Sequence, residues 1–349
     1  MFEVTGSDIQ LLDDRQLRTL VARLCLAELR SRELPVSGVT AGGDQNAPDG
    51  GLDVRVELTG ETSSGDFVPT VPLGFQVKKP DMGPAAIKKE MQPEGSLRAV
   101  IGELADAGGG YIIVSSNGSV ADKPLQNRKA AMRAALDGHP SADRLTVDFY
   151  DRDRLAGWVN CYPGVSAWVR EKIGSPLSGW QALGDWSGTR IGGDGDFIFD
   201  DTACLVDARG KEQSVLPMIE GIAQLRAILA QSGQCVRLIG MSGLGKTRLV
   251  QALFESEIGS DPLDPSLAIY TDYSETPDPT ARQLALGLIE RDQRAILVVD
   301  NCNPQTHSDL AKFCSSKASK VSLLTVEYDV RDDEPERTEV FRLQSASNS

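Results

Sequence analysis

Strict alternation runs through Leu52, Asp53, Val54, Arg55, Val56, Glu57 and Leu58, so that the leucines and valines form one face and Asp53, Arg55 and Glu57 the other. A period of two predicts a half-buried strand. After the polar turn TGETSSGD the pattern returns: Leu73, Phe75 and Val77 share a buried face while Gln76 and Lys78 point away from it. If the two strands pair, Asp53, Gln76 and Lys78 lie on one sheet face. Upstream the spacing is helical, with Leu17, Val21, Leu24 and Glu28 in a 4,3,4 order on a helix expected over 14–32. Glu28 thus continues an apolar stripe toward the core, where an unpaired carboxylate is costly. The same two periods predict helix 97–107, strand 111–115, helix 122–136 and strand 145–150, with helices over 158–172 closing the N-terminal domain.

In the second half, the apolar run 235–239 predicts a buried strand. Beyond it stand the glycine-rich GMSGLGKT, 240–247, and a helix over 247–257 with Leu249, Val250, Leu253 and Phe254 on one face. Strand 267–270, helix 280–289 and an apolar strand 295–299 ending in Asp300 follow. Strand 321–326 and a short strand near 340–343 complete an expected five-stranded sheet. Between the halves, 174–214 reads as a connecting segment anchored by Trp180 and Trp186. The expected division is a domain over 1–173, a linker over 174–214 and a second domain over 215–349.

Each half carries a constellation with chemical meaning. Backbone N–H groups of a glycine-rich loop opening a helix can wrap a polyphosphate, a lysine can reach its outer phosphates, and a hydroxyl can ligate magnesium. The candidate nucleotide residues are Gly240, Ser242, Gly243, Leu244, Gly245, Lys246, Thr247 and Arg248. Asp300, at the end of a parallel-type strand, can hold the same magnesium with Thr247. In the first half, a carboxylate beside an oxygen donor can bind a hard divalent cation, and a neighbouring lysine can position or deprotonate water. Asp53 and Gln76 are the candidate metal ligands there, with Lys78 and Glu28 beside them as catalytic candidates. Basic residues cluster at Lys78, Lys79, Lys88 and Lys89, and again at Arg128, Lys129 and Arg133. They read either as phosphate contacts or as ordinary solvated helix faces.

Composition narrows the function classes. The 349 residues, 40% hydrophobic and 25% charged, suffice for two globular cores. The start MFEVTGSDIQ lacks the features of a signal peptide, and no apolar run approaches the roughly 20 residues of a membrane span; a cytoplasmic protein is expected. A net charge of -14 argues against non-specific coating of nucleic acid, though not against a nuclease whose basic segments are pooled in an oligomer. Six cysteines without a CxxC pair read as reduced core thiols. Only two histidines, His139 and His307, stand far apart in loop-like contexts, which argues against Ser-His-Asp and HExxH chemistry.

The stretches RLIGMSGLGKTRLVQALF, ILVVDNC and SLLTVEYDV resemble the core of the STAND class of P-loop NTPases, which includes bacterial antiviral (Avs-type) proteins. The resemblance implies a three-layer α/β/α core in which ATP and Mg2+ act as a switch for homo-oligomerisation, with an effector before it and a helical sensor after it. Asn301 stands where many such ATPases carry the glutamate that polarises water, which implies slow hydrolysis. Such relatives usually carry an arginine at the end of the sensor strand; here Arg331 is the nearest candidate. PDGGLDVRV followed by GFQVKK resembles the PD-(D/E)xK nucleases, in particular the Mrr-like branch with its glutamine. That resemblance implies a restriction-endonuclease-like α/β domain in which Asp53 and Gln76 hold magnesium, Lys78 is the catalytic lysine and Glu28 the helix glutamate. Together they imply an anti-phage switch: a phage protein, sensed by a region beyond this chain, triggers an N-terminal Mg2+-dependent endonuclease that cuts double-stranded DNA. Two rivals are a regulatory NTPase with an inactive nuclease fold, and a restriction-type DNA-cleaving ATPase without a sensor.

Overall fold

The computed structural model describes residues 3–42, 51–59, 65–183, 203–207, 214–328 and 338–345. Trp186 and Arg331 lie outside the described residues. The chain is mixed α/β, and its contacts divide it into two compact units at Asn160 and Cys161. Among the described residues no helix is long and apolar enough to cross a membrane.

The first unit begins with α1 (Gly6–Leu11) and α2 (Asp14–Ser31), each opened by a capping box, Thr5 with Asp8 and Asp13 with Gln16. These pairs satisfy backbone donors that a helix start otherwise leaves open. A five-stranded sheet follows in the order β1 (Val39–Ala41), β2 (Val54–Val56), β3 (Leu73–Lys78), β4 (Gly110–Ser115), β5 (Thr146–Tyr150). The first three strands pair antiparallel and the last three parallel. Helices α3 (Pro84–Met91), α4 (Ala99–Asp106), α5 (Asp122–Ala134) and α6 (Arg152–Asn160) complete the unit. β4 is buried at every position, as a strand covered on both faces must be. Trp158 of α6 stacks on Phe67 at 5.1 Å between centroids and meets Phe75 and Tyr150, so it is a core anchor. The regular part of β2 is shorter than the alternation predicts. Its ladder stops where the Asp53 carboxylate, rather than a backbone carbonyl, accepts the Val77 N–H at 2.7 Å.

The second unit holds α7 (Pro163–Lys172), β6 (Gln181–Ala182), β7 (Ala203–Asp207), β8 (Ser214–Pro217), α8 (Met218–Ala230), β9 (Cys235–Ile239) and α9 (Lys246–Ala252). It continues with β10 (Ala268–Asp272), α10 (Ala281–Glu290), β11 (Ala295–Asp300), α11 (Pro304–Cys314), β12 (Val321–Glu327) and β13 (Glu339–Ser345). Among the described residues its sheet has eight strands, not five, in the order β6-β10-β11-β12-β9-β13-β7-β8. The expected five form its parallel centre, and β6, β7 and β8 extend it antiparallel at the two edges. Leu225, Leu249, Val250 and Leu253 fill one face; Leu284, Leu288, Leu310 and Cys314 fill the other. Cys25, Cys235, Cys302 and Cys314 are buried thiols.

Two expectations shift in this unit. Helix α7, expected to close the first domain, packs instead against β10 and the turn before it. Gly164 makes this possible, because a Cβ there would lie 2.4 Å from Pro265 O and 2.9 Å from Ala268 O. The connecting segment likewise contributes β6 and β7 to the sheet, and Trp180 anchors it by donating from Nε1 to Pro279 O at 2.7 Å.

Helix α9 ends at Ala252, short of the expected 257, because a side chain takes its terminal carbonyls. Arg226 of α8, 2% exposed, donates to Ala252 O, Leu253 O, Glu255 O, Ile258 O and Ser260 O. One guanidinium thus satisfies the helix end and the turn beyond it. Buried acceptors left without a donor cost about 1–3 kcal/mol each. Arg226→Met should therefore destabilise the second unit by at least about 3 kcal/mol, read as a lower urea midpoint; a change under about 0.5 kcal/mol, the scatter of surface substitutions, would show that water replaces the guanidinium.

Candidate functional site

The parallel register brings the chemistry of the second unit to one sheet edge. Asp272 and Asp300 are Cα partners at the carboxyl ends of β10 and β11, and the glycine loop leaves the carboxyl end of β9. Gly240 must be glycine, since a Cβ would lie 2.7 Å from Leu343 O of β13. Gly243 and Gly245 hold left-handed φ angles of 82° and 85°, a region that glycine enters without penalty.

Lys246 is buried and folds back over the loop, donating to Gly240 O at 2.7 Å and Met241 O at 2.8 Å, with its ammonium 4.8 Å from the centre of the Tyr328 ring. Burial pushes its pKa down from the usual lysine range, against the pull of Asp300. Thr247 Oγ1 donates to Asp300 Oδ2 at 2.7 Å, and Tyr270 OH donates to the same oxygen at 3.0 Å. Asn301 N donates to Asp300 Oδ1 at 2.8 Å, so both carboxylate oxygens are oriented. Burial, then Asp300, raises the Tyr270 pKa, so the phenol remains a donor. Asp272 accepts from Ser274 N and Oγ and from Asn301 Nδ2 at 2.7 Å. Burial would raise its pKa, but these hydrogen bonds outweigh it and hold it low. A hydroxyl and a carboxylate adjoining at the mouth of a phosphate-type loop fit a hydrated magnesium ion, which takes few protein ligands.

Lys246, Thr247 and Asp300 therefore come together, with Ser242, Gly243, Leu244 and Gly245 in the loop around them. Arg248 does not join them. It pairs through both terminal nitrogens with Glu255 at 2.9 and 3.0 Å, toward the far end of α9. Glu327, at the end of β12, is fully buried and held by Arg237 Nε at 2.7 Å and Thr325 Oγ1 at 3.2 Å. A base so enclosed has no access to water. His307 lies in α11, not in a loop, and extends this network: Nδ1 meets Thr325 Oγ1 at 2.7 Å and Nε2 meets Thr338 Oγ1 at 3.1 Å. Tyr270 and Asp272 carry no recognisable motif; only parallel pairing with β11 shows their place.

In the first unit, Asp53 and Gln76 meet as the alternation predicts. Gln76 Nε2 donates to Asp53 Oδ2 at 2.9 Å, and both side chains are buried. Gln76 is 5% exposed and its Oε1 is enclosed without a hydrogen-bond partner. A buried carboxylate beside an orphaned amide oxygen fits a hard divalent cation. Among the described residues no three His, Cys, Asp or Glu side chains are grouped to hold a metal. Arg18 of α2 places Nε 3.1 Å from Asp53 Oδ1. Lys78 lies on the same strand face as Gln76 but pairs with Glu90 of α3 at 3.2 Å, a carboxylate that also holds Arg98 at 3.0 Å.

Glu28 is not part of this group. It stands ten residues along α2 from Arg18, which at 1.5 Å per residue is about 15 Å, and its Oε1 lies where a Cβ on Gly65 would come within 2.6 Å of it. The stripe ending in Glu28 sets which face of α2 is buried, but the site lies at the other end of the helix. The second basic cluster is engaged by partners within the unit: Arg128 pairs with Asp81, Lys129 with Asp148, and Arg133 donates to Ala142 O and Leu145 O. Lys88 and Lys89 remain exposed on α3. Comparison with protein-family models found no match, and comparison with curated proteins found no significant one.

The buried network yields a pH prediction. Burial, then the charge of Arg237, lowers the His307 pKa to about 4. The unfolded chain binds this proton below about 6.5 and the folded chain only below about 4, so stability must fall as pH drops through that window. Between about pH 7 and pH 5 the loss from this residue should be about 2 kcal/mol. His307→Gln should remove that part of the pH dependence in urea titrations. Equal slopes in both proteins would contradict the assignment.

Proposed function

We propose that this chain is an ATP-dependent switch with an N-terminal Mg2+-dependent endodeoxyribonuclease, working in the cytoplasm in defence against phage. ATP-dependent homo-oligomerisation would activate cleavage of double-stranded DNA after a region C-terminal to this chain senses a phage protein. The observation that carries the nucleotide half is the Thr247 hydroxyl on Asp300 at 2.7 Å, beside a lysine buried over a loop with left-handed glycines. Lys246 would exchange its two loop carbonyls for outer phosphate oxygens, and Thr247 and Asp300 would hold the magnesium. Asn301 and the enclosed Glu327 offer no general base, which supports a switch that hydrolyses slowly.

For the nuclease half, Asp53 and Gln76 would hold magnesium, and Lys78, released from Glu90, would orient the attacking water. A bound magnesium supplies charge neutralisation and a more acidic water. A second reading, a regulatory NTPase whose nuclease fold is inactive, is favoured by one specific arrangement: Lys78 is tied to Glu90 and Asp53 to Arg18.

In calorimetric titration with magnesium, Lys246→Ala should lose ATP binding, and wild-type turnover should stay below about 1 per second, the lower edge of typical enzyme rates. Equal affinity in both proteins would overturn the nucleotide site. Asp53→Ala and Lys78→Ala should each abolish plasmid cleavage by the triggered protein carrying its sensor region, with ATP binding intact. Arg55→Ala, whose side chain pairs with Glu57 at 2.7 Å on the same face, serves as control. Cleavage that persists without the Asp53 carboxylate would leave the inactive-fold reading.

A further inference from the structure

Arg18 presents one edge of its guanidinium to two carboxylates. Nε lies 3.1 Å from Asp53 Oδ1, while Nη2, on the same edge, pairs with Asp14 one turn earlier on α2. That edge ordinarily grips a single carboxylate with two parallel hydrogen bonds. Here it is split, and Nε is enclosed without the alignment of a hydrogen bond to Asp53. The contact is therefore mainly ionic. It neutralises two acids held close together, one of them buried, at a point where the orphaned Gln76 Oε1 also lacks a partner.

We propose that Arg18 is the resident counter-ion of this site, that a divalent cation binds by displacing its guanidinium, and that Asp14 then joins Asp53 as a second carboxylate toward the metal. The proposal rests on the reading of Asp53 as a metal ligand and adds to it the α2 residues that tune the affinity. Three physical consequences follow. Two carboxylates without the arginine repel each other and attract a dication far more strongly than one does. A half-turn of the Gln76 amide sets Oε1 beside Asp53 Oδ2, an arrangement of two oxygens that only a cation makes favourable. The guanidinium, a quarter exposed, has solvent to swing into, so displacement needs no rearrangement of the core. The site would thus have low metal affinity at rest, set by competition between a tethered monovalent cation and a free divalent one.

The experiment is a Mn2+ titration of the full chain without nucleotide, followed by electron paramagnetic resonance of free Mn2+, in an Asp300→Asn background that silences the second metal site. Arg18→Met should tighten Mn2+ binding by about tenfold or more, as loss of a directly competing charge requires. Arg18→Lys, which restores a cation, should return affinity toward that of the parent. In the Arg18→Met protein, adding Asp14→Asn should weaken binding severalfold, whereas adding Glu28→Gln should leave it unchanged. Unchanged or weaker binding in Arg18→Met, with Asp53→Asn still abolishing it, would overturn the counter-ion proposal and keep the metal site. Binding insensitive to Asp53→Asn would remove the metal site itself. If Arg18→Met does not fold, Arg18→Gln carries the same comparison, and a fold retained only with a cation at position 18, with no gain in Mn2+ affinity in Arg18→Gln, would assign Arg18 a structural role and overturn the proposal.

Discussion

The parallel register of β9, β10, β11 and β12 is the constraint on which the candidate nucleotide site depends. Pairing β10 with β11 so that Asp272 stands opposite Asp300 puts Tyr270 on the same face two residues earlier, since side chains repeat every second position along a strand. Tyr270 and Thr247 can then converge on a single oxygen of Asp300. Pairing β12 with β9 places Thr325 opposite Arg237 and Glu327 opposite Ile239, which sends the ion pair to the opposite face. A slip of one residue in either pairing would exchange these sets. The burial of every position of β9, β11 and β12 between two layers of helices makes such a slip costly.

Buried charge in this unit is spent on holding backbone and strand ends in place. Arg226 serves carbonyls at the end of α9, and Arg237 with Glu327 links β9 to β12 immediately below the glycine loop. Buried ion pairs are weak sources of net stability, but loss of one partner strands a charge. Thr325 donates to Glu327 and in turn meets His307, whose imidazole is kept neutral well below its ordinary range by burial and then by the charge of Arg237. The carboxylate is thus committed to architecture, and the loop above it rests on a rigid strand end.

In the first unit electrostatics works at closer balance. Asp53 is buried and accepts from Val77 N and Gln76 Nε2, with Arg18 as its cation. Lys78 is balanced in the same way by Glu90, itself shared with Arg98. The Asp53 carboxylate and the Lys78 ammonium are therefore each already paired with a neighbour, and chemistry there would require exchange of these partners. The cations that such an exchange must displace reach solvent, the Arg18 side chain being 25% and the Lys78 side chain 28% exposed, while the Asp53 carboxylate that Arg18 leaves behind is buried.

Local pattern was enough for much of this. The alternation through Asp53, Gln76 and Lys78, the glycine loop between strand and helix, and the apolar strand delivering Asp300 were legible because periodicity and glycine chemistry are local properties of the chain. Asp53 and Gln76 meet because side-chain alternation in paired strands leaves them no other face. The amino-acid order could not place Arg18, Asp14 or Glu90, because which end of α2 or α3 approaches the sheet is decided by packing. It misassigned Glu28 for the same reason: an acid continuing an apolar stripe is inward-facing, but its height along the helix axis is a tertiary fact. Arg248 follows α9 toward Glu255, and β6, β7 and α7 joined the second unit, because contacts distant in sequence, such as Gly164 against Ala268, determine which core an amphipathic element completes.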